Sequence, residues 1–92
     1  GGLRLNDQAA DLAICMAIAS AAAGRRIDEG VVVFGEVGLG GEIRSAVGAD
    51  RRVQEAKKLG FTKAIAPKAH SKNSFIKGVS DLRGALIDYL QK

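Results

Sequence analysis

VVVFGEVGLGGEIR, residues 31–44, is the stretch whose reading decides the fold. Its glycines at 35, 38, 40 and 41, followed by a basic segment, admit two readings. A phosphate-binding loop needs a strand, then glycines, then a helix whose N-terminus faces the anion. A β-hairpin needs only turn residues, and Gly38, Gly40 and Gly41 are able to take positive φ. The residues after the glycines, GEIRSAV, alternate with the period of a strand rather than a helix. The chain also holds no G-x-x-x-x-G-K-[ST]. The hairpin reading prevails, with VVVFGEV as a β-branched central strand and GEIRSAV returning beside it.

Upstream, GGLRLN reads as a short strand with Leu3 and Leu5 on one face, and Asn6 or Asp7 as the cap of a following helix. That helix runs from Ala9 to about Ala23, with Asp7 and Asp11 at its positive end and Gly24 as its stop. After Asp11 it is apolar on every side, which predicts burial, yet little remains in so short a chain to cover it. Part of its surface is therefore expected to meet another subunit or a further segment. Downstream, a helix is expected over 49–59, with Asp50 as cap or first-turn anion, Val53, Ala56 and Leu59 inward, and Gly60 as stop. FTKAIAPK and FIKGV read as strands joined by the polar AHSKNS, and Ser80 caps a closing amphipathic helix with Leu82, Leu86 and Tyr89 or Leu90 inward. Strands alternating with helices, plus one hairpin, predict a single α/β (α+β) domain over 1–92 with a mixed sheet.

At 92 residues, this is one small domain whose core must come from Ala, Val, Ile and Leu, since aromatics are only 4% of the chain and Trp is absent. Cys15 is the single cysteine, so an internal disulfide is excluded and a reducing compartment is suited. LAICMAIASAAAG is too short for a membrane span, and no charged-then-apolar leader opens the chain; a cytoplasmic domain is expected. Charge is uneven. Residues 1–50 hold four basic and seven acidic side chains, whereas 51–92 hold ten and three, within a total of +4. A one-sided basic half points to a polyanion such as nucleic acid, and a solvated face without a partner explains it equally well.

The residues assemble no catalytic set by local spacing. One His and one Cys far apart exclude a clustered metal site. His70, in a Lys/Ser/Asn loop, reads as a surface residue, and Cys15 as a small core hydrophobe. Asp28 and Glu29 read as a solvated turn, and Glu36 and Glu42 as partners of Arg44 or of water. The basic run carries more information: Arg51, Arg52, Lys57, Lys58, Lys63, Lys68, Lys72 and Lys77 fall in a segment whose one acid is Glu55. Such side chains neutralise phosphates without reading sequence. Phe61 and Phe75, placed in strands by the pattern, leave no aromatic series for base stacking.

GGLRLNDQAADLAI, VVVFGEVGLGGEIR, ADRRVQEAKKLGFTKAIAPK and GVSDLRGALIDYL, in that order, closely resemble the C-terminal Lon-protease-like domain of bacterial RadA (Sms) DNA-repair ATPases, which belong to the RecA superfamily and act in homologous recombination. The chain departs from that pattern at Gln8 and Ser45, where proline is usual. The resemblance implies a Lon proteolytic-domain-like, ribosomal S5 domain 2-like fold, truncated at its N-terminus because the family's unit begins upstream. It places the serine nucleophile of active Lon proteases on Ala9 and the lysine on Asp50, neither of which can serve, so it implies a dead protease scaffold. It also implies no cofactor in this chain, with ATP, magnesium and zinc held by a RecA-like core and a zinc finger outside it. The partners implied are DNA, RecA recombinase and further copies: a dimer or larger for this chain, a hexameric ring for the parent, and no membrane. The expectation is a non-catalytic oligomerisation and DNA-contact module. Its phosphate contacts would be Arg51, Arg52, Lys57 and Lys58, supported by Lys63, Lys68 and Lys72. The rivals are a purely structural assembly domain, an S5-like RNA-binding module and a residual peptidase.

Overall fold

The computed structural model describes residues 8–90, so the expected strand GGLRLN and the caps Asn6 and Asp7 lie outside the described residues. A 3-10 turn over Gln8–Ala10 leads into α1 (Asp11–Ala23), which ends at Gly24 in the left-handed conformation, as read from the sequence. The chain then forms β1 (Val31–Val33), β2 (Glu36–Val37) and β3 (Ile43–Arg44). It continues through α2 (Ala49–Lys58), β4 (Lys63–Pro67), a 3-10 turn over Lys68–His70, β5 (Ile76–Val79) and α3 (Leu82–Tyr89).

β1, β4 and β5 form a parallel sheet in that order, with Val32 opposite Ala64 and Ile65 opposite Lys77. β4, not β1, is central; among the described residues β1 is an edge strand. The β-branched run is interrupted at Phe34 and Gly35, and β2 pairs antiparallel with β3 as a separate ribbon, Glu36 opposite Arg44. The returning strand is confined to Ile43–Arg44, shorter than GEIRSAV. Antiparallel contacts make the whole arrangement mixed: the Ile43 N–H donates to Ser80 O at 2.9 Å, and the Leu82 N–H to Gly41 O at 2.7 Å. Pro67, fully buried, closes β4 beyond the last residue paired with β1, where its missing N–H costs no bond to that strand.

Alternation along β4 separates two cores. Ala64 and Ala66 face Ala49 and Val53 of α2, together with Ala9, Phe34 and Ile76. Ile65 faces the other way, onto Leu12 and Met16 of α1 and Ala85 of α3. Leu12 and Met16 are fully buried, and each stabilises the fold by about 1.5–3 kcal/mol over its exposed state. The rest of α1 departs from all-round burial, because only one helix side can meet the sheet. Ile14 and Ile18 are exposed and Cys15 is half-buried.

Two further expectations are corrected by local geometry. Leu59 is exposed, since α2 turns its Val53 and Ala56 side inward and ends at Lys58. Asp81, not Ser80, caps α3: its Oδ1 accepts the Gly84 N–H at 2.7 Å. Replacing Asp81 by Ala is expected to destabilise the domain by about 1 kcal/mol, read as a lower urea midpoint with unchanged slope. Ser80→Ala is expected to leave the midpoint in place.

Candidate functional site

The glycine turn spends its amides internally. The Gly38 N–H donates to Glu42 O at 2.8 Å and the Gly41 N–H to Gly38 O at 3.0 Å, closing the hairpin. The Glu42 carboxylate folds back to accept the Gly40 N–H at 3.2 Å, so an acid occupies the place where a phosphate loop would offer its amides. Only Gly41 of the three turn glycines has positive φ, at 86°. Glu42, just before β3, also lies 3.8 Å from Arg44, so the ion pair forms within the returning arm rather than across the ribbon. Opposite the turn, Asp11 at the start of α1 accepts the Val37 N–H at 3.2 Å and ties the hairpin base to the helix.

Next to this base runs a groove of about 910 Å³ along the outer side of β1. It is lined by Ala9 and Ala13, by Val33, and by Arg51, Arg52 and Leu59 from the α2 side. Ala9 is buried, and its carbonyl accepts the Gly35 N–H at 2.8 Å. Asp50 stands exposed in the first turn of α2, behind a Gly48 N-cap. The Arg52 Nε donates to Val47 O at 3.1 Å, which holds this half-buried guanidinium against the loop before α2.

The candidate cations divide by layer. Arg51, Lys57 and Lys58 are exposed on α2, and Lys68 and Lys72 on the connection between β4 and β5. That connection crosses the same sheet face as α2: a Cβ placed on Gly78, which pairs with Ala66, would meet the Lys68 Cα. Lys57 bridges the two parts, its Nζ 5.4 Å from the centroid of the Phe75 ring. Lys63 is not brought to this layer. It shares the Ile65 face, as does Lys77, on the side of α1 and α3. Phe61 and Phe75 precede β4 and β5 rather than lying within them, both half-buried.

His70 differs from the surface reading. It is half-buried, and its Nε2 accepts the Ala46 N–H at 3.1 Å, holding the loop before α2 against the β4–β5 connection. Nothing in the spacing of a lone histidine signals a partner twenty-four residues away. Among the described residues no group of three or more His, Cys, Asp or Glu could hold a metal ion. No helix among them is long and apolar enough to cross a membrane.

The fold and these surfaces define a small α/β domain with a parallel sheet, an appended hairpin and a basic helical layer. Residues 1–70 match the family model described as "Subunit ChlI of Mg-chelatase", and the chain belongs to that family. It is also similar to proteins named DNA repair protein RadA. The Rickettsia felis protein is 45% identical over 84 residues, covering 90% of this chain and 19% of that protein. The Aquifex aeolicus protein is 46% identical over 69 residues, covering 75% of this chain and 16% of that protein. The Mycolicibacterium smegmatis protein is 49% identical over 67 residues, covering 73% and 14% respectively. The chain thus spans less than a fifth of the length of these relatives.

Proposed function

We propose that this chain is the Lon-like, non-catalytic domain of a RadA-type DNA-repair and recombination ATPase, serving ring assembly and contact with DNA phosphates. The supporting observation is the basic layer on one sheet face, set in a chain about 45% identical to RadA proteins over nine-tenths of its length. Lys58, Lys68 and Lys72, with Lys57, are the phosphate contacts of this reading; Arg51 and Arg52 stand at the groove, and Lys63 lies apart from the rest. The resemblance that puts Ala9 and Asp50 at the protease positions supports the absence of peptidase chemistry, because a methyl group offers no nucleophile and a carboxylate cannot replace a lysine base. In this reading the parent protein supplies ATP hydrolysis and zinc binding from residues outside this chain, and RecA recombinase is a further partner.

Such contacts make affinity steeply salt-dependent and indifferent to sequence. Replacing Lys58, Lys68 and Lys72 together by Ala is expected to weaken oligonucleotide binding equally across sequences. The slope of log K against log salt should become shallower by roughly 2–3, at about 0.7–0.9 per lost contact. An unchanged slope would remove these residues from the interface. A pure assembly domain would show no oligonucleotide binding to lose, and an S5-like RNA-binding module would prefer RNA over DNA of the same sequence. A peptidase assay on an unfolded protein is expected to show no hydrolysis.

A further inference from the structure

We infer that His70 is a pH-sensitive latch: its neutral imidazole ties the loop before α2 to the β4–β5 connection, and protonation of the ring opens that tie. The inference goes beyond the function proposed above, since it needs neither DNA nor a second copy. His70 closes the 3-10 turn over Lys68–His70, on the connection that lies against β5. Its Nε2 accepts the Ala46 N–H at 3.1 Å across 24 residues of sequence. Ala46 is buried in the same cluster as Phe34, Ala49 and Val53, so little water reaches its amide. The bond therefore satisfies a donor that has no ready substitute.

An imidazole nitrogen accepts a hydrogen bond only through its lone pair, so the ring must be neutral with its proton on Nδ1. A proton on Nε2 sets N–H against N–H and leaves a buried donor unpaired. The charged groups on the segments around the ring are Lys68 and Lys72 on the connection, Arg44 on the arm before the loop, and Asp50, Arg51 and Arg52 in α2. Lys77 of β5 lies on the opposite sheet face. No ion pair among the described residues involves His70, so no carboxylate stands ready for the N–H that protonation adds. Arg52 Nε still donates to Val47 O, so the loop parts from the connection and not from α2. The latch is closed above the histidine range and opens as pH falls through it. His70 is the single histidine of the chain, and no other side-chain type ordinarily titrates between about pH 5 and 8.

Nuclear magnetic resonance on the ¹⁵N-labelled whole chain tests the latch. At about pH 8 the ring is expected as the Nδ1–H tautomer, with Nε2 unprotonated. Hydrogen-exchange protection of the Ala46 amide, corrected for the pH dependence of exchange itself, should be about tenfold lower at pH 5.5 than at pH 8, the worth of one hydrogen bond. The Leu12 amide, bonded to Gly35 O away from the latch, should keep its protection. His70→Gln carries no titrating group, so its Ala46 protection should not vary with pH. An Nε2–H tautomer at pH 8 overturns the latch, as does Ala46 protection in the unaltered chain that ignores pH. Both readouts need no variant, so they decide even if His70→Gln fails to fold. A pH dependence that persists in a folded His70→Gln chain overturns the assignment to this residue.

Discussion

Alanine at Gly35 is expected to cost the domain about 2–4 kcal/mol, the larger of two glycine effects. Gly35 is where the chain leaves β1 for the hairpin, at a φ of 153° that side chains rarely adopt. A Cβ there would lie 3.2 Å from Ile43 Cγ2 and 3.3 Å from both Cγ and Cδ of Pro67. None of these neighbours can withdraw freely. Ile43 is fixed by its pairing with Val37, and Pro67 is a rigid ring in the last position of the central strand. The same residue donates to Ala9 O and accepts from the Leu12 N–H at 3.0 Å, so its displacement also pulls on the start of α1. For a domain of this size each kcal/mol shifts Tm by about 4–8 °C, and thermal unfolding reads the loss directly. Two companions separate the causes. Gly41→Ala, at φ 86° with nothing within 4 Å, carries the backbone cost alone, about 1–2 kcal/mol. Gly40→Ala, with neither positive φ nor a close neighbour, should be nearly neutral. Equal effects at 35 and 41 would remove the packing argument.

Gly78→Ala is expected to cost about 1–3 kcal/mol for a different reason, since its φ is ordinary. Parallel strands usually need a dozen or more residues between them. Here β4 and β5 are joined by residues 68–75 alone, in a 3-10 turn and a polar loop laid directly on β5. A Cβ at 78 would lie 2.8 Å from the Lys68 Cα and 3.0 Å from the Ser71 Cβ. The first is backbone and cannot rotate away, so the crossover itself must lift. Because Lys68 and Lys72 ride on that crossover, the substitution should also lower oligonucleotide affinity at a temperature where the domain remains folded. Chemical denaturation gives the stability term and anisotropy the binding term. A stable Gly78→Ala variant that binds normally would mean the crossover is looser than its contacts indicate.

These two glycines show where sequence reading reaches its limit. The hairpin was legible because GEIRSAV carries strand alternation after the glycines, and α1, α2 and α3 because Gly24, Gly60 and the apolar spacing mark them. Equal letters hid unequal roles, however: Gly35 and Gly78 are constrained by residues distant in sequence, whereas Gly40 is constrained by none. VVV reads as central because β-branched side chains suit any buried strand, and which strand sits in the middle depends on pairing that no local pattern encodes. Ser80 and Asp81 are both good caps, and only the backbone geometry at Asp81 decides between them. Leu59 fits the helical spacing of Val53 and Ala56, yet α2 stops one residue earlier. The basic run was visible as composition. Its division between the α2 layer and the Lys63 side follows from strand parity once the register is known. His70 and the β1 groove were not legible at all, since both arise from segments brought together only by the fold.

The most direct test of the central claim is a titration of labelled single- and double-stranded oligonucleotides by fluorescence anisotropy at low and physiological salt. The account predicts binding at low salt that weakens steeply as salt rises and is insensitive to sequence. Absence of binding at low salt to either form would contradict phosphate contact by this domain and leave the basic layer a solvated face.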